Sequence, residues 1–362
     1  MNSSVAVKNL SEMMAHAVTL TDSAPVLQRL PSSLQLKQLV PLDTALSKQV
    51  ADHRHAVRAI LNGEDSRLLI VVGPCSIHDP RSALEYAERL AALAADVSDQ
   101  LLLVMRAYVE KPRTTIGWKG LAYDPQLDGS DDMAGGLTLS RELMREMLCM
   151  GLPIATEILQ PIAAGYFDDV LSWVAIGART TESQIHREMA SGLGIPVGFK
   201  NGTDGGVSVA TDAMRSAAHP HRHFGIDRHG HPAIIETQGN PDTHVVLRGG
   251  HGGPNYDRQS VAAVRSGLQK VGITPRIMVD CSHANSGKDP LRQPVVFNDV
   301  LEQRLRGDHS LVGMMLESHL FEGCQTLSNT LEYGVSVTDG CLGWDASEQL
   351  LQEAASTLRL RQ

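Results

Sequence analysis

Six basic residues lie near the ends of short apolar runs: Arg106, Lys111, Arg113, Arg179, Lys200 and Arg248. The chain as a whole is acidic, with a formal net charge of −9, so its cations are not in general excess. Cations that are buried together need compensating anions, because their desolvation is costly. Phosphates and carboxylates are suitable partners, since Arg binds them through paired hydrogen bonds. If the run ends meet in the fold, these residues predict a site for substrates with several anionic groups.

A second set of residues has the side chains of a metal site: Cys75, His283, Glu317 and Asp339. Thiolate, imidazole and carboxylate together suit a divalent first-row metal. A Cys taken alone is more often a core residue, and Cys75 could also be a nucleophile or half of a disulfide. The five cysteines are odd in number and form no C-x-x-C pair, which argues against a disulfide framework or a zinc knuckle. His78, three residues after Cys75, is expected to support its loop.

A repeating pattern that begins at Arg67 predicts the strands and helices that position these residues. Eight apolar runs alternate with helix-like segments: LLIVVGPCS, LLLVMRAYVEKPRT, LPIATEIL, WVAIGART, IPVGFKNGT, HVVLRGG, IMVDCSH and LVGMMLESHL. Most runs are near-continuous Val, Ile, Leu and Met, which is typical of strands buried on both faces. Eight strands, each followed by a helix, predict an α/β fold of the (β/α)8 TIM-barrel type, with a doubly wound open sheet as the alternative. In a barrel the carboxyl ends of all strands share one face, where both sets of residues and Glu157 would meet.

Two segments lie outside this repeat. We predict that residues 1–64 form an N-terminal extension and helix, and that residues 65–362 form the barrel. In the helix, Asp43 is placed to cap the first turn and Gly63 to end the last. Residues 221–239, HRHFGIDRHGHPAIIETQG, predict a β-hairpin inserted before strand 6. The hairpin could cover one face of the barrel or act as a regulatory or oligomer element.

Composition and charge exclude several classes of protein. The hydrophobic content of 42% and charged content of 20% are typical of globular proteins. The acidic balance argues against a nucleic-acid partner, and the apolar runs are too short to span a bilayer. The first residues carry Glu12 and His16 where a signal peptide needs an apolar segment. We therefore expect a cytoplasmic protein with no nucleic-acid or membrane partner.

Long ordered motifs along the chain resemble one known family. They are GPCSIHDP at 73–80, MRAYVEKPRTTIGWKGL at 105–121, IGARTTESQIHRE at 176–188, PVGFKNGTDG at 196–205, HVVLRGG at 244–250, VDCSHANSGK at 279–288, ESHLFEG at 317–323 and VSVTDGCLGW at 335–344. Together they resemble the type I class of 3-deoxy-D-arabino-heptulosonate 7-phosphate (DAHP) synthase. The resemblance runs from about residue 40 to the end, whereas the first forty residues match poorly.

The resemblance implies a reaction and a cofactor. The family condenses phosphoenolpyruvate with D-erythrose 4-phosphate, releases phosphate and opens the shikimate pathway to chorismate and the aromatic amino acids. It uses a divalent metal ion, for which we expect Mn, Co, Fe or Zn. Metal polarisation of the aldehyde oxygen would make the aldehyde carbon a better electrophile.

The resemblance also implies roles for individual residues. By position, Cys75, His283, Glu317 and Asp339 match the metal ligands. Arg106, Lys111, Arg179, Lys200 and Arg248 match the phosphoenolpyruvate site. Pro112, Arg113 and Thr114, with Asp339, match the erythrose 4-phosphate site. We assign catalytic roles to Lys111, as an orienting or proton-relaying group, to Glu157, and to the ligands Cys75 and His283.

Feedback regulation is a further expectation from the resemblance. Members of this class are typically homotetramers or homodimers that an aromatic amino acid inhibits. In HFGID, Gly225 resembles tyrosine-sensitive members, because a missing side chain leaves room for a phenolic hydroxyl. Leu193 and Gly194 are expected to line the same pocket. Tyrosine is therefore the predicted effector. The resemblance implies that it binds away from the catalytic barrel of residues 65–362, near the hairpin and the extension of residues 1–64. A regulatory or oligomer role is therefore expected for the extension, and the regulatory interpretation of the hairpin is favoured.

Two other functions are compatible with parts of the pattern. One is a related barrel enzyme, such as 3-deoxy-octulosonate 8-phosphate synthase or a class II aldolase. The KPRT sequence at 111–114 favours a four-carbon sugar phosphate, since the octulosonate enzymes usually carry a KANRS stretch. The other is a non-catalytic sensor of aromatic amino acids, which would not need to retain the metal and anion residues.

Overall fold

A computed structural model describes residues 26–361, and residues 31–361 belong to one compact unit. Its strands are β1 Leu68–Gly73, β2 Leu101–Arg106, β3 Ile154–Glu157, β4 Trp173–Ile176, β5 Val197–Lys200, β6 Arg222–Ile226, β7 Pro232–Glu236, β8 Thr243–Leu247, β9 Ile277–Asp280 and β10 Leu311–Glu317. Its α-helices are α1 Ser33–Leu39, α2 Thr44–Asn62, α3 Pro80–Val97, α4 Met133–Cys149, α5 Pro161–Phe167, α6 Gln184–Gly192, α7 Ser208–Ala217, α8 Arg258–Lys270, α9 Gln293–Leu305 and α10 Trp344–Arg359.

Eight parallel strands close into a barrel in the order β1-β10-β9-β8-β5-β4-β3-β2, and β2 pairs with β1. These strands are the eight predicted runs, so the predicted (β/α)8 fold is confirmed and the open sheet is wrong. Alternation along β1 shows how the sequence builds two cores. Leu69 and Val71 belong to the cluster inside the barrel, whereas Leu68, Ile70 and Val72 pack under the surrounding helices.

Helix α2 covers the end of the barrel opposite the carboxyl ends of the strands. Val57, Ile60 and Leu61 of this helix join the interior cluster of the barrel. The predicted caps are present: Asp43 accepts a hydrogen bond from Leu46 N at 2.7 Å, and Gly63 ends the helix with a φ of 75°. Helix α2 thus packs at the end of the barrel that is remote from the predicted site residues.

A buried hydrogen bond inside the barrel restricts which residues can pack beside it. The Trp173 indole N–H donates to His244 Nε2 at 2.8 Å, and both side chains are completely buried. Burial lowers the pKa of His244 to about 4, so this imidazole is a neutral acceptor. A Cβ on Gly198 would lie 2.4 Å from the Trp173 ring, so only glycine fits beside this pair.

The predicted hairpin is present between α7 and β8. Strands β6 and β7 pair antiparallel, with Phe224 opposite Ile234 and Gly225 opposite Ala233. Side chains alternate between exposed and half-buried along both strands, in contrast to the fully buried barrel strands.

The remaining predictions concern the chain's organisation. The boundary between residues 64 and 65 stays a prediction, and the part of the extension before residue 26, with Glu12 and His16, lies outside the described residues. Within residues 26–361, no helix combines the length and the apolar composition needed to cross a bilayer.

Candidate active site

The carboxyl ends of the strands place the predicted residues at one face. Arg106, Glu157, Lys200 and Glu317 are the last residues of β2, β3, β5 and β10, and Cys75, Arg179, Arg248 and His283 follow β1, β4, β8 and β9 within three residues. Lys111 and its neighbours lie in the loop after β2, and Asp339 lies in the loop before α10. Residues that are up to 264 positions apart, such as Cys75 and Asp339, therefore come into contact.

Three of the four predicted metal ligands meet directly. One ligand atom each of Cys75, Glu317 and Asp339 lies within 4.8 Å of the other two. His283 lies beside these three residues, with its Nε2 4.0 Å from Glu317 Oε1. We call these four residues the ligand group.

The imidazole of His283 is oriented from behind. Its Nδ1 lies 2.9 Å from Asp280 Oδ2 and 2.7 Å from Ser282 Oγ, so Nε2 is the nitrogen left for the ligand group. Burial raises the pKa of Asp280, but His283 and Lys200 outweigh it and hold the pKa well below its ordinary value. A carboxylate behind a histidine is the usual support of a metal-binding imidazole.

Lys111 lies between the ligand group and the neighbouring cations. Its Nζ is 2.7 Å from Cys75 Sγ and 3.6 Å from Asp339 Oδ2. Burial raises the pKa of the Cys75 thiol to about 11, and Glu317 adds to the rise, while Lys111 opposes it. The thiol is therefore protonated at neutral pH in the absence of a metal, and metal binding would release its proton.

The predicted phosphoenolpyruvate residues line one pocket at this mouth. This anion pocket is formed by Arg106, Lys111, Arg179, Lys200 and Arg248, with Tyr108, Pro112, Glu157, Ala178, Thr203 and His283 around them.

Arg106 is held in the anion pocket by several contacts. Its guanidinium donates to Pro74 O and Cys75 O at 3.1 Å and to Glu317 Oε1 at 2.8 Å, and stacks 3.5 Å above the Tyr108 ring. This one side chain thus connects the anion pocket to the ligand group.

Lys200 is held by two buried carboxylates. Its Nζ lies 3.2 Å from Glu157 Oε2 and 3.5 Å from Asp280 Oδ2. Burial raises the pKa of Glu157, but Lys200, Lys111 and Arg106 outweigh it, and the pKa lies below its ordinary value. Both partners are therefore charged, and the ammonium of Lys200 is fixed before any ligand arrives.

The predicted erythrose 4-phosphate residues border the anion pocket. Pro112 lines the pocket, and Thr114 Oγ1 accepts a hydrogen bond from Arg179 at 3.1 Å. The Arg113 Nε–H donates to Trp118 O at 2.7 Å, which folds the loop tip back on itself. Asp339, the fourth residue of this predicted subsite, reaches it through Lys111.

The predicted effector residues lie away from the mouth. Leu193 and Gly194 follow the last residue of α6, and Gly194 has a φ of 59°. The hairpin meets α6 through Ser191 Oγ and Thr237 Oγ1, which are 2.7 Å apart. Gly225 lies further along the hairpin, where a Cβ would approach Ile235 Cγ1 to 2.5 Å. Joint binding by Leu193, Gly194 and Gly225 stays a prediction.

Several residues of the site were not predicted from the sequence. Tyr108 stacks under Arg106, and Asp280 supports both His283 and Lys200. Asp280 ends the IMVD run, so its strand-end position was a usable signal.

Three asparagines, Asn201, Asn255 and Asn285, link the loops after β5, β8 and β9. Their side chains form hydrogen bonds of 2.7–3.2 Å with one another and with the backbone of these loops, including the N–H of Arg248. His78 is buried against His319, with ring centroids 5.9 Å apart, and takes no part in the ligand group.

The fold and the site define a class: a (β/α)8 enzyme whose mouth combines a polycationic pocket with thiol, imidazole and carboxylate side chains. The DAHP synthetase I family matches residues 43–352. The chain belongs to this family, which confirms the predicted resemblance and enzyme class.

Individual relatives support the same family assignment. The chain is 54% identical over 322 residues to the Tyr-sensitive phospho-2-dehydro-3-deoxyheptonate aldolase of Escherichia coli K12, covering 88% of this chain and 90% of that protein. It is 48% identical over 338 residues to the Phe-sensitive enzyme of the same organism, covering 90% and 96%. The solved phospho-2-dehydro-3-deoxyheptonate aldolase of Francisella tularensis SCHU S4 superposes with a TM-score of 0.90 at 43% identity, over 92% of this chain and 98% of that one.

Proposed function

We propose that this protein condenses phosphoenolpyruvate with D-erythrose 4-phosphate to give DAHP and inorganic phosphate, and that tyrosine inhibits it. The observation that carries the reaction is the convergence of five cations on one pocket beside the ligand group. Two phosphates and a carboxylate supply the anions that such a pocket needs. Family membership and the names of the relatives agree with this substrate pair.

A divalent metal fits the ligand group by the chemistry of its donors. A thiol, an imidazole with a carboxylate behind it and two carboxylates are suitable ligands for Mn, Fe, Co or Zn. Cys75, His283, Glu317 and Asp339 would hold the ion. A bound ion would supply Lewis-acid polarisation of an aldehyde oxygen.

The side chains of the mouth then have separable tasks. Arg106, Lys200 and Arg248, with Arg179, bind the phosphate and carboxylate of phosphoenolpyruvate, and Arg113 and Thr114 bind the phosphate of the sugar. In the reaction, C3 of phosphoenolpyruvate bonds to the aldehyde carbon, and water adds to C2. The C2–O bond then breaks, and phosphate leaves. The Glu157 carboxylate lowers the energy of positive charge at C2.

Lys111 is the candidate for moving a proton. Its ammonium lines the anion pocket and lies 2.7 Å from Cys75 Sγ, so it lies between the proposed phosphoenolpyruvate site and the ligand group. Burial lowers the pKa of Lys111, but Cys75, Glu317 and Asp339 outweigh it and raise the pKa, which keeps the ammonium protonated. We assign to Lys111 the donation of a proton to the oxygen of the former aldehyde.

The test is an assay of phosphoenolpyruvate consumption with two sugars. We expect turnover with erythrose 4-phosphate and little with arabinose 5-phosphate, loss of turnover after chelation, and recovery with Mn²⁺. A preference for arabinose 5-phosphate would favour the octulosonate enzyme, and no consumption with either sugar would favour a sensor. Phe, Tyr and Trp added separately test the effector, and sedimentation distinguishes the two expected assemblies, a homotetramer and a homodimer.

A further inference from the structure

The loop between β2 and α4 carries the predicted sugar-phosphate residues on a closed lobe. Lys111 N donates to Lys119 O at 2.8 Å, and Ala122 N donates to Val109 O at 3.0 Å, so the two arms of the lobe are paired at its base. Gly120 in the returning arm has a φ of 111°, and a Cβ there would lie 2.3 Å from Val109 O. The base of the lobe is therefore tightly packed, and its orientation depends on what anchors that base.

Glu110 lies at this base, and its side chain leaves the lobe. It is 3% exposed and does not line the anion pocket. Its Oε2 accepts from Leu159 N at 3.1 Å and its Oε1 accepts from Gln160 N at 3.2 Å, while the Tyr123 hydroxyl supplies a further hydrogen bond. All three partners are hydrogen-bond donors. An ionised carboxylate can accept from all of them, because it carries no donor hydrogen of its own.

The anchor on the other side is itself fixed. Leu159 and Gln160 connect the end of β3 to α5, two and three residues after Glu157. The carbonyl of Leu159 accepts from His186 Nε2 of α6 at 2.7 Å. Glu110 thus joins the lobe to a backbone segment that two other elements hold in place.

We propose that Glu110 is a positioning residue whose carboxylate fastens the 111–119 lobe to the start of α5 and so sets the geometry of the sugar-phosphate subsite. The proposal rests on the proposed function. Pro112, Arg113 and Thr114 lie on the lobe. Of the phosphoenolpyruvate residues Lys111 is also on the lobe, at its paired base, whereas Arg106, Lys200 and Arg248 are fixed on or beside strands. Disturbing the anchor therefore affects erythrose 4-phosphate more than phosphoenolpyruvate.

The electrostatics of the anchor add a pH dependence. Burial raises the pKa of Glu110 to about 7, the N–H groups of Leu159 and Gln160 oppose the rise, and the Glu157 carboxylate adds to it. The titratable groups that face Glu110 are Glu157 at the end of β3 and Tyr123 on its own loop, with His186 of α6 acting through Leu159. Above pH 7 the carboxylate accepts all three donors, and below pH 7 a proton occupies part of its acceptor capacity.

The test compares wild type with Glu110→Gln, in which an amide NH₂ must face a backbone N–H. We expect KM for erythrose 4-phosphate to rise about tenfold at pH 8, with KM for phosphoenolpyruvate within about twofold. The mutant-to-wild-type ratio of the sugar KM should shrink between pH 8 and pH 6, as wild-type Glu110 takes up its proton. Substrate phosphates titrate equally in both proteins and cancel in this ratio.

Two further variants keep the test decisive. Tyr123→Phe removes one donor and should raise the same KM by a smaller factor, and it serves if Glu110→Gln does not fold. Asp308→Asn, which loses an ion pair between the loop after α9 and Arg265 of α8, controls for general destabilisation and should leave both KM values unchanged.

Equal losses for both substrates, or a KM ratio independent of pH, would overturn the proposal. Failure of wild type to use erythrose 4-phosphate would instead overturn the proposed function.

Discussion

At the barrel mouth the charged side chains at the strand ends are buried in ion pairs, whereas the charged side chains of strands β6 and β7 are exposed to solvent. Lys200 and Glu157 are nearly inaccessible and form an ion pair. On the hairpin, Phe224 is 96% and Ile234 76% exposed, and the Arg222–Glu236 pair is open to water. Desolvated charges depend strongly on their partners, while exposed ones are screened. Substitutions should therefore have large, coupled effects at the mouth and small effects on the hairpin unless they alter effector binding.

The largest effect is expected at the ligand group. Cys75→Ala should lower kcat by at least about a thousandfold, because loss of metal polarisation removes several kcal/mol of transition-state stabilisation. Circular dichroism should show the fold unchanged. Cys149→Ala, which removes an exposed thiol at the end of α4, is the control and should keep full activity. Turnover of Cys75→Ala close to wild type would show that the thiol is not a ligand.

The next effect concerns stability at the mouth. Lys200→Met leaves Glu157 and Asp280 without their shared cation, and should lower the free energy of unfolding by about 3–5 kcal/mol. Urea denaturation measures this change. Lys270→Met, at the exposed end of α8, is the matched control. A loss no larger than that of the control would mean that the buried pair is not coupled.

The same pair predicts a pH dependence of stability. The folded-state pKa of Glu157 is depressed, so its contribution is fully present above about pH 4.3, the unfolded value, and is lost as pH falls through the folded pKa. Urea midpoints of wild type should therefore fall in acid. The fall should be shallower in Lys200→Met, and equal slopes would contradict the assignment.

A selective effect is expected on the hairpin. Gly225→Ser should weaken inhibition by tyrosine about tenfold, because the added side chain would displace Ile235 and occupy the predicted effector site. Activity without inhibitor should stay within about twofold of wild type. Inhibition curves for Tyr and Phe measure both. Unchanged tyrosine inhibition would remove Gly225 from the effector pocket.

The smallest effect is expected at the exposed ion pair. Arg222→Ala should change Tm by less than about 2 °C, since a screened surface pair contributes little. Differential scanning calorimetry measures it. A drop comparable to that of Lys200→Met would indicate that this hairpin face is covered in the assembled protein.

The sequence was sufficient where strand periodicity decides the outcome. Because strand ends converge in a parallel barrel, the placement of Arg106, Lys200 and Glu317 followed from eight apolar runs. Supporting contacts were not predictable in this way. The Glu110 anchor depends on how two loops fold over one another, and the ring of Tyr108 lies under Arg106 because of side-chain packing. Neither relation has a period in the sequence.

Effector residues are harder for a related reason. Gly225 and Gly194 have no side chains whose chemistry could indicate a binding site, and their assignment came from resemblance alone. The hairpin itself was predictable from its alternation and turn residues, but which molecule binds beside it was not.

Binding of a divalent metal by Cys75 and its neighbours is tested most directly by titration with Co²⁺. The metal-free protein should take up one equivalent of Co²⁺ and develop a sulfur-to-cobalt charge-transfer band, which Cys75→Ala lacks and Cys149→Ala retains. Activity should rise in parallel with the band. Full activity with no such band, or the same band in Cys75→Ala, would contradict the account.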